Sequence, residues 1–316
     1  MAQTILITGA AGFIGSSLTD RMLGSGWRVV GVDNFCDFYD ESAKRRNIAE
    51  AMEHEAFELV EADIRDAVAM RRTFQRTKPA ALVHIAAMAG VRPSIEDPAY
   101  YVQVNLDGTV NVLDAAVEAD VQKVLFASSS SVYGNNSKVP FAEDDPVDCQ
   151  ISPYAATKRA CELLCHTYWH LHQLPVFCFR FFTVFGPRQR PDLAISKFLK
   201  LVAEDQPIPV FGDGSTSRDY TYIDDIVDGL TAALDRCDRY RIYNLGGNVP
   251  VTLSELIAAI GRVVGKEPRI DRQPMQPGDV QRTYADLTRS TAELGFLPKV
   301  SLEEGIRRQW HWLQSQ

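Results

Sequence analysis

Short apolar runs rich in Val, Ile, Leu and Phe alternate with amphipathic segments over the first 180 residues of this 316-residue chain. The apolar runs predict strands at Ile5–Thr8, Val29–Asp33, Glu58–Glu61, Ala81–Ile85, Lys123–Ser128 and Val176–Arg180. Helical periodicity separates them, near Phe13–Leu23, Ala43–Met52, Ala67–Arg76, Tyr100–Ala119 and Tyr154–Leu171. This alternation predicts an α/β fold, with a doubly wound parallel sheet and right-handed crossovers.

The composition of the chain changes after Pro187, where proline and glycine become more frequent and the predicted elements become shorter. The later elements predicted are a helix at Tyr222–Leu234, a strand of the same sheet at Ile242–Leu245, a helix from a Thr-x-x-Glu capping box at Thr252 to about Val264, and an amphipathic helix at Leu302–Leu313. We therefore expect two interleaved domains, a large one over 1–182 with about 220–246, and a smaller α/β one over 183–219 and 247–316. A cleft between such domains is the expected binding site.

Composition and charge narrow the class of protein. The net charge of −8 disfavours nucleic acid and anionic membrane surfaces as partners, because both select basic patches. No run approaches the roughly 18 apolar residues of a membrane span, and the N-terminus lacks the basic segment of a signal peptide. The six cysteines form no CxxC pair, which indicates reduced thiols in a cytoplasmic protein.

One cluster of side chains invites a comparison with metal sites. Cys161, Cys165, His166 and His170 lie at helical spacing, and residues four apart share a helix face. Free cysteine also packs as a small hydrophobe, and the sequence holds no second cluster of ligands. We interpret the cluster as one face of a helix and expect no metal.

Tyr154 and Lys158 lie four residues apart in a predicted helix, 25 residues after Ser129. At this spacing an ammonium can sit beside a phenol and lower its pKa from a reference near 10, so that the phenol acts as a base at neutral pH. A serine hydroxyl can share the proton that moves. With a dinucleotide as hydride acceptor, these three residues predict the oxidation of an alcohol.

Three glycines, Gly9, Gly12 and Gly15, follow the first predicted strand and open the first helix. Glycine allows positive φ and lets the backbone approach a pyrophosphate at the positive end of a helix. Asp33 ends the second strand, where a carboxylate binds both ribose hydroxyls and repels a 2'-phosphate, so we expect NAD; the alternative is an Asp that only makes a turn. The residues predicted to bind the cofactor are Gly9, Gly12, Phe13, Ile14, Gly15, Asp33, Asn34, Asp63, Ile64, Ala86, Ala87, Tyr154 and Lys158.

Ordered motifs along essentially the whole chain carry a resemblance to a known superfamily. They are TGAAGFIG, DNF, HIAAMAGVRPS, FASSSSVYG, SPYAATK, RFFTVFGPRQRPD, SRDYTYIDD, YNLGG and MQPGDVQRTYAD. The chain resembles the extended short-chain dehydrogenases/reductases, specifically their nucleotide-sugar epimerases, which implies a Rossmann-type sheet. Related 4,6-dehydratases carry an Asp-Glu pair after the catalytic serine, and glucuronate decarboxylases carry a Glu beside it. This chain has Ser130 and Ser131 there, which leaves simple epimerisation.

Three segments resemble UDP-glucuronate 4-epimerases: DNFCDFYDESAKRRN, PRQRPDLA and MQPGDV. UDP-galactose 4-epimerases typically have arginine at the position of Gln276 and asparagine at that of Thr183, and both departures favour the uronate. The resemblance implies that Tyr154 takes the proton of the sugar 4'-hydroxyl, that hydride passes from C4' to NAD, and that the 4-keto sugar turns over and takes the hydride back. The predicted substrate-binding residues are Ser129, Ser130, Thr183, Arg190, Arg218, Arg92, Asp279 and Arg282.

Three of these residues are expected to control a side reaction. With a glucuronate the intermediate is a β-keto acid, which loses CO2 readily. Ser130, Thr183 and Arg190 are candidates to hold the carboxylate through charge-assisted hydrogen bonds and so to prevent this loss. The alternative for Arg190 is a solvated loop charge or a contact between domains.

Other functions fit parts of the same pattern. The nearest is a UDP-glucose or UDP-N-acetylhexosamine 4-epimerase, since a few pocket side chains set sugar selectivity. A net-oxidising dehydrogenase would consume free NAD, whereas an epimerase would not. A non-catalytic NAD-binding sensor would tend to lose Tyr154 or Lys158, and both are present.

The two long helices predicted near 100–119 and 154–172 have apolar faces. In this superfamily these helices commonly form a four-helix interface, so we expect a homodimer. Burial within one chain explains much of the same pattern and is the alternative. The apolar positions concerned are Val102, Leu106, Val110, Leu113, Leu163, Leu164, Tyr168 and Leu171.

Overall fold

A parallel sheet forms the centre of the protein, in a computed structural model that describes residues 2–274 and 280–316. The strands, in chain order, are β1 Thr4–Thr8, β2 Arg28–Asp33, β3 Phe57–Glu61, β4 Ala81–His84, β5 Lys123–Ser129, β6 Val176–Phe181, β7 Val184–Phe185, β8 Ile208–Phe211, β9 Ser217–Asp219, β10 Thr221–Tyr222, β11 Tyr240–Leu245, β12 Pro250–Thr252 and β13 Ile270–Gln273. Within the described residues, seven strands pair in the order β3-β2-β1-β4-β5-β6-β11, always in parallel. The later strand therefore returns to the first sheet, as predicted.

Helices cover both faces of this sheet, which confirms the predicted doubly wound fold. In chain order they are α1 Phe13–Gly24, α2 Glu41–Asn47, α3 Ala49–Met52, α4 Ala67–Thr77, α5 Val91–Glu96, α6 Pro98–Val102, α7 Gly108–Glu118, α8 Pro153–His172, α9 Ala194–Ala203, α10 Ile223–Leu234, α11 Leu253–Val264, α12 Thr288–Leu294 and α13 Leu302–Gln314. One apolar cluster includes α1 and α10, and a second includes α4, α7 and α8. Because the strands are buried on both faces, their sequences are almost continuously apolar.

The direction of the strand order changes at β1, which lies between β2 and β4. In such sheets the loops that leave the carboxyl ends of the two central strands diverge, and ligands bind in the crevice between them. Here the glycine turn follows β1, and Ala86 follows β4. The two loops are in contact, since the Ala86 N–H donates to the carbonyl of Thr8 at 3.1 Å.

Two of the predicted helices, the second and the fourth, are interrupted. The second consists of α2 and α3, which meet at the buried Ile48. The fourth consists of α6 and α7 with a π-helical turn, Gln103–Asp107, between them. In that turn the buried Asn105 side chain bonds both backbone polar atoms of Met88 (2.8 and 3.0 Å) and the Thr157 hydroxyl (3.0 Å). Contacts with other segments, which periodicity within one helix does not report, therefore fix this turn.

The cysteine–histidine cluster divides between two environments on α8. Cys161 and Cys165 are buried in the core, whereas His166 and His170 are exposed. Over residues 2–274 and 280–316, no three His, Cys, Asp or Glu side chains are grouped as a metal ion would need. All six cysteines carry free thiols. In the part of the chain described here, no helix combines the length and apolar character needed to cross a membrane.

Candidate active site

A cleft of about 550 Å³ lies at the carboxyl edge of the central sheet. Every residue predicted above to bind the cofactor lines this cleft. So do five of the residues predicted to act on the substrate, namely Ser129, Ser130, Thr183, Arg190 and Arg218. The fold thus brings together segments that are up to about 200 residues apart in the sequence, as parallel βαβ units do at one sheet edge.

Two glycines of the turn after β1 are required by the packing of the protein itself. Gly9 has φ +71°, and a Cβ on it would lie 2.9 Å from the backbone nitrogen of Ala86. A Cβ on Gly15 would lie 2.0 Å from the carbonyl oxygen of Gly9. Neither position can carry a side chain unless the turn moves.

Gly12 is different, because a side chain there would meet one close backbone contact and needs no unusual backbone conformation. It is the N-cap of α1 with φ −74° and ψ 175°, a conformation open to any residue, and it gives the helix no side-chain cap. A Cβ on Gly12 would meet, within 4 Å, only the Gly9 carbonyl oxygen, at 3.2 Å. A ligand that approaches the backbone at the start of a helix accounts for the glycine, and the pyrophosphate of a dinucleotide fits this place.

Asp33 connects the glycine turn with the adenosine side of the cleft. Its carboxylate accepts hydrogen bonds from the N–H of Ala11 (3.0 Å) and of Phe35 (2.9 Å). It therefore organises the turn, as the alternative interpretation expected, and it also lines the cleft. Since each carboxylate oxygen has a second lone pair, Asp33 retains capacity for ribose hydroxyls.

Asp63 is held in place at the end of the loop after β3. The Asn34 amide donates to it at 2.9 Å, and the Arg65 guanidinium forms two bonds to it, at 3.0 and 2.8 Å. Hydrogen bonding from Arg65 lowers the pKa of Asp63 to about 2. The carboxylate is thus ionised at neutral pH, and it can accept a hydrogen bond from an adenine amino group.

The start of α8 places the predicted catalytic residues. Ser152 is the N-cap, its hydroxyl accepts a backbone hydrogen bond from the first turn, and Pro153 occupies the first helical position. Tyr154 therefore lies in the first turn, and Lys158 lies one turn later on the same face. Ser129 is the last residue of the neighbouring strand β5. All three line the cleft.

The phenol of Tyr154 is subject to opposing influences. Burial raises its pKa, whereas its hydrogen bond with Ser129 and the positive charge of Arg190 lower it. The Ser129 hydroxyl oxygen also accepts bonds from the N–H and the hydroxyl of Ser131, at 3.2 and 2.9 Å. With its orientation fixed in this way, Ser129 can share a proton with Tyr154.

Lys158 is buried beneath the cleft. Its ammonium donates to the carbonyl of Ala127 at 2.7 Å and lies 5.1 Å from the ring centre of Phe126. Burial lowers the pKa of Lys158 to about 8, and nearby thiols and the Glu162 carboxylate act in the opposite direction. The effect of Lys158 on the Tyr154 phenol stays a prediction.

Arg190 is not a solvated loop charge, since its side chain is only 15 % exposed. It forms two hydrogen bonds to the Asp192 carboxylate, at 3.0 and 2.9 Å, and its guanidinium lies 4.8 Å from the ring centre of Phe38. The contact with Phe38 joins the two predicted domains. The charge of the same guanidinium lowers the pKa of Tyr154, and both side chains line the cleft.

Arg218 lies in β9, donates to the carbonyl of Ser217 at 2.9 Å and lines the cleft. Its neighbour Asp219 is fully buried and accepts bonds from the N–H groups of Gly247 (2.7 Å) and Ala285 (2.9 Å). Asp219 thus anchors β9 to two loops and holds Arg218 in place. Sequence reasoning missed this residue, although an acidic residue beside a predicted binding arginine was a usable signal.

Three predicted substrate residues are not among the described residues that line the cleft. The guanidinium of Arg92 lies over the ring of Phe211, 4.7 Å from its centre. Arg282 is exposed at a short bridge to β9. Asp279, like Gln276, lies outside the described residues. Their roles stay predictions.

The loop after β2 supplies lining residues that were not predicted individually. Phe38 and Tyr39 both line the cleft, and the ammonium of Lys44 lies 4.9 Å from the ring centre of Tyr39. The aromatic residues of the DNFCDFYD segment were the available signal. Binding residues are disproportionately on loops that a rigid scaffold positions, as this one is.

The model of the NAD dependent epimerase/dehydratase family matches residues 5–246. The chain belongs to this family. A UDP-glucuronate 4-epimerase of Thermodesulfobacterium geofontis is 41% identical over 97% of this chain and 95% of its own. UDP-glucuronic acid 4-epimerase from Bacillus cereus, solved in complex with UDP-glucuronic acid and NAD, superimposes with a TM-score of 0.94 at 34% identity over 99% of both chains. UDP-glucose 4-epimerase from Thermotoga maritima, solved with UDP-glucose, gives a TM-score of 0.92 at 30% identity over 99% of both.

Membership of the NAD dependent epimerase/dehydratase family confirms the predicted superfamily and the predicted cofactor. The cleft fits that cofactor, because the Gly12 backbone is open to a pyrophosphate and Asp33 is open to a ribose. The three residues Ser129, Tyr154 and Lys158 line the same cleft, with Ser129 at the end of β5 and Asp33 at the end of β2, three strands away.

Proposed function

We propose that the protein is a UDP-sugar 4-epimerase that converts UDP-glucuronate to UDP-galacturonate through a transient 4-keto sugar. The mostly buried Arg190 side chain, which lines the same cleft as Tyr154, is the observation that supports the uronate most strongly. The cleft also presents the hydroxyls of Ser130 and Thr183. A cation and hydroxyl donors in the same cleft as the base suit a carboxylate on the sugar carbon that adjoins the reacting one.

In this reaction Tyr154 accepts the proton of the 4'-hydroxyl and later returns it, as general base and then general acid. Ser129 donates a hydrogen bond to the same oxygen and stabilises the charge that develops on it. NAD, when bound, supplies the acceptor and the donor of the hydride. Arg218 binds the substrate diphosphate, a role that its charge and its place in the cleft permit. The 4-keto sugar must turn over about its diphosphate link before the hydride returns to the opposite face.

Replacing Arg190 by alanine is expected to raise the ratio of UDP-pentose to UDP-galacturonate by at least about 10-fold, since a hydrogen bond to a charged group carries that much free energy. The freed carboxylate can rotate until its C–C bond lines up with the ketone. NMR of the products formed from UDP-glucuronate measures the ratio. Arg188→Ala is the matched control, because Arg188 is two residues away and paired with Asp20 outside the cleft. A ratio that stays unchanged in the Arg190 variant would remove this residue from the role.

A second candidate, a UDP-glucose or UDP-N-acetylhexosamine 4-epimerase, is favoured by one observation. The Asp192 carboxylate already pairs with Arg190, and a neutralised arginine suits a neutral sugar as well. The test is to incubate the protein, without added NAD, with UDP-glucuronate, UDP-glucose and UDP-N-acetylglucosamine separately, and to follow the products by NMR. Conversion of UDP-glucuronate alone supports the uronate; conversion of only the neutral sugars supports the second candidate.

The rate of epimerisation is expected to decline as the pH rises through about 8. Burial lowers the pKa of Lys158 to about 8, so this group loses its positive charge over that range. Initial rates at saturating substrate between pH 6 and pH 10 test this. In Lys158→Arg the charge persists, because guanidinium does not deprotonate in this range, and the alkaline decline should disappear at a lower kcat. An alkaline decline that is the same in both proteins would assign it to another group.

We also propose that the protein is a homodimer, formed through α8 and the segment that runs from α6 to α7. Val102, Leu163 and Leu171 are 43, 55 and 65% exposed on the segments concerned, which supports an uncovered apolar face. Leu113, which the sequence placed on this face, is instead fully buried in the core. Light scattering on a Leu163→Glu/Leu171→Glu variant should show a monomer, whereas Leu297→Glu, at a site 60% exposed elsewhere, should leave the mass unchanged.

We further propose that the two domains bind different ligands. Residues 1–182 with about 220–246 bind NAD, and residues 183–219 and 247–316 bind the nucleotide sugar. Two observations support this division: β11 pairs with β6 in the central sheet, and Arg218 lies in β9, which pairs with β12 outside it.

A further inference from the structure

A buried ion pair lies directly behind the catalytic residues. Glu162 and Arg180 are 0 and 1% exposed, and they are joined by two hydrogen bonds of 2.9 Å each. The Glu162 carboxylate also accepts from the Ser128 hydroxyl at 2.7 Å and from the Arg159 guanidinium at 3.0 Å. It therefore receives four hydrogen bonds, three of them from guanidinium groups.

Two partners of this carboxylate lie close in the sequence to residues of the active site. Ser128 immediately precedes Ser129 at the end of β5. Arg180 lies in β6, three residues before Thr183. The Glu162 carboxylate thus joins the ends of two strands at the place where both enter the cleft.

Glu162 itself belongs to the helix that carries the base. On α8 it lies one turn after Lys158 and two turns after Tyr154, near the same helix face. The bonds that it accepts consequently fix α8 against the carboxyl end of β5. The separation between α8 and the end of β5 determines how close the Tyr154 hydroxyl lies to the Ser129 hydroxyl.

Stability alone does not account for the pair. Two buried charges lose their hydration, and well-packed apolar residues of similar volume are often as stabilising or more so. Arg180 also donates a hydrogen bond to the carbonyl of Glu143 at 3.3 Å, and its guanidinium lies 4.7 Å from the ring centre of Tyr133. A network with so many directional bonds specifies geometry better than it adds stability.

We infer that Glu162, held by Arg180 and Ser128, is a positioning residue for the reaction, which sets the contact between the Ser129 and Tyr154 hydroxyls. This inference rests on the proposed function. Glu162 touches neither substrate nor cofactor, so its loss should lower kcat and leave KM and the NAD content of the protein unchanged.

Glu162 also contributes negative charge near Lys158. It raises the pKa of Lys158, as the Cys161, Cys165 and Cys178 thiols around the same ammonium do, against the lowering by burial. Removal of the Glu162 charge alone, as in Glu162→Gln, should therefore move the alkaline decline of the rate to lower pH. An effect on packing alone would not move it.

The test compares two variants of the NAD-loaded protein with wild type. Glu162→Met/Arg180→Met removes both charges, and by the argument above it should unfold at a temperature close to that of wild type. Its kcat should fall about 100-fold, the cost of a misplacement of about 1 Å. Ser128→Ala removes one hydrogen bond and no charge, and its kcat should fall about 10-fold. Asp225→Asn is the control: this buried carboxylate binds the N–H groups of Lys299 and Val300, so its change should lower stability and spare kcat.

A double variant with wild-type kcat would overturn the inference and leave the pair a purely structural role. If the double variant does not fold, Ser128→Ala decides, and a wild-type kcat in that variant overturns the inference equally.

A second readout needs no substrate. The pKa of Tyr154 can be followed by NMR titration of tyrosine labelled at Cζ, and the Tyr154 signal is assigned by its absence from Tyr154→Phe. In Ser128→Ala this pKa should be about one unit higher than in wild type, because the hydrogen bond from Ser129 to Tyr154 is weakened. An unchanged titration contradicts the inference even when turnover is not measured. If wild type converts none of the UDP-sugars, the proposed function fails, while this titration still decides whether Glu162 positions the base.

Discussion

Replacing Tyr154 by phenylalanine is expected to lower kcat by about 100- to 10,000-fold, the usual contribution of a positioned acid–base group. The phenol is the group that can take the 4'-hydroxyl proton. Burial raises its pKa, and the hydrogen bond with Ser129 and the charge of Arg190 lower it. Phenylalanine keeps the ring, whose edge-on contact with Tyr101 at 6.3 Å needs no hydroxyl. Rates with UDP-glucuronate and with the neutral UDP-sugars, followed by NMR, measure the loss.

Two control measurements show whether the loss of rate is specific to the Tyr154 hydroxyl. The NAD content of Tyr154→Phe should equal that of wild type, because the residues predicted to hold the pyrophosphate and the ribose, the glycine turn and Asp33, are unchanged. Tyr243 lies on β11, at the edge of the sheet, and its hydroxyl donates to Glu293 at 2.8 Å. Tyr243→Phe removes that hydroxyl and should keep the wild-type rate of epimerisation. If Tyr154→Phe kept more than about a tenth of the wild-type kcat, another group would have to be the base.

Replacing Gly12 by alanine is expected to weaken NAD binding by about 10- to 100-fold, the effect of overpacking a closely fitted contact. The added methyl group fits if the Gly9 carbonyl oxygen, 3.2 Å away, yields by a few tenths of an ångström, but it takes the place where a pyrophosphate approaches the backbone. NAD released on denaturation, and calorimetric titration of stripped protein with NAD, give the content and the affinity. The unfolding temperature of the stripped protein should change by only a few degrees, because Gly12 has an ordinary φ.

The neighbouring glycines provide the comparison. Gly24→Ala, at the last position of α1 with no atom within 4 Å of the added Cβ, should keep NAD affinity and gain slightly in stability. Gly15→Ala should lower stability and affinity together, since its Cβ would collide with the Gly9 carbonyl even without cofactor. If Gly12→Ala bound NAD as well as Gly24→Ala does, the cofactor would have to approach another part of the turn.

The parts of this fold that the sequence predicted well are those with local causes. The glycine turn, the four-residue spacing of Tyr154 and Lys158, and the apolar runs of a sheet buried on both faces depend on neighbouring residues only. Strand ends were therefore predicted to within one residue or two, with β4 ending at His84 instead of Ile85. Motif order then identified the family, because spacing along the chain survives in any member.

The parts that were missed depend on partners far away in the sequence. The π-helical turn around Asn105 exists because its amide bonds Met88 and Thr157. The contact of Phe38 with Arg190 and the ion pair of Glu162 with Arg180 likewise join segments whose proximity no periodicity expresses. Candidate residues could be chosen by type from the sequence, but the partner that fixes each of them had to come from the fold.

The place of β11 at the edge of the central sheet bears on how the protein can be made and divided. Strand β6, with the sequence Val-Phe-Cys-Phe-Arg-Phe, is covered on one side by β5 and on the other only by β11, which the ribosome delivers some 60 residues later. Until then β6 presents a row of unpaired backbone groups on a strongly apolar strand, the kind of edge at which chains aggregate. A fragment cut after the first domain segment would keep this exposed edge permanently. The nucleotide-binding half therefore cannot be exchanged between enzymes as one contiguous cassette, because recombination near residue 182 pairs β6 of one parent with β11 of the other.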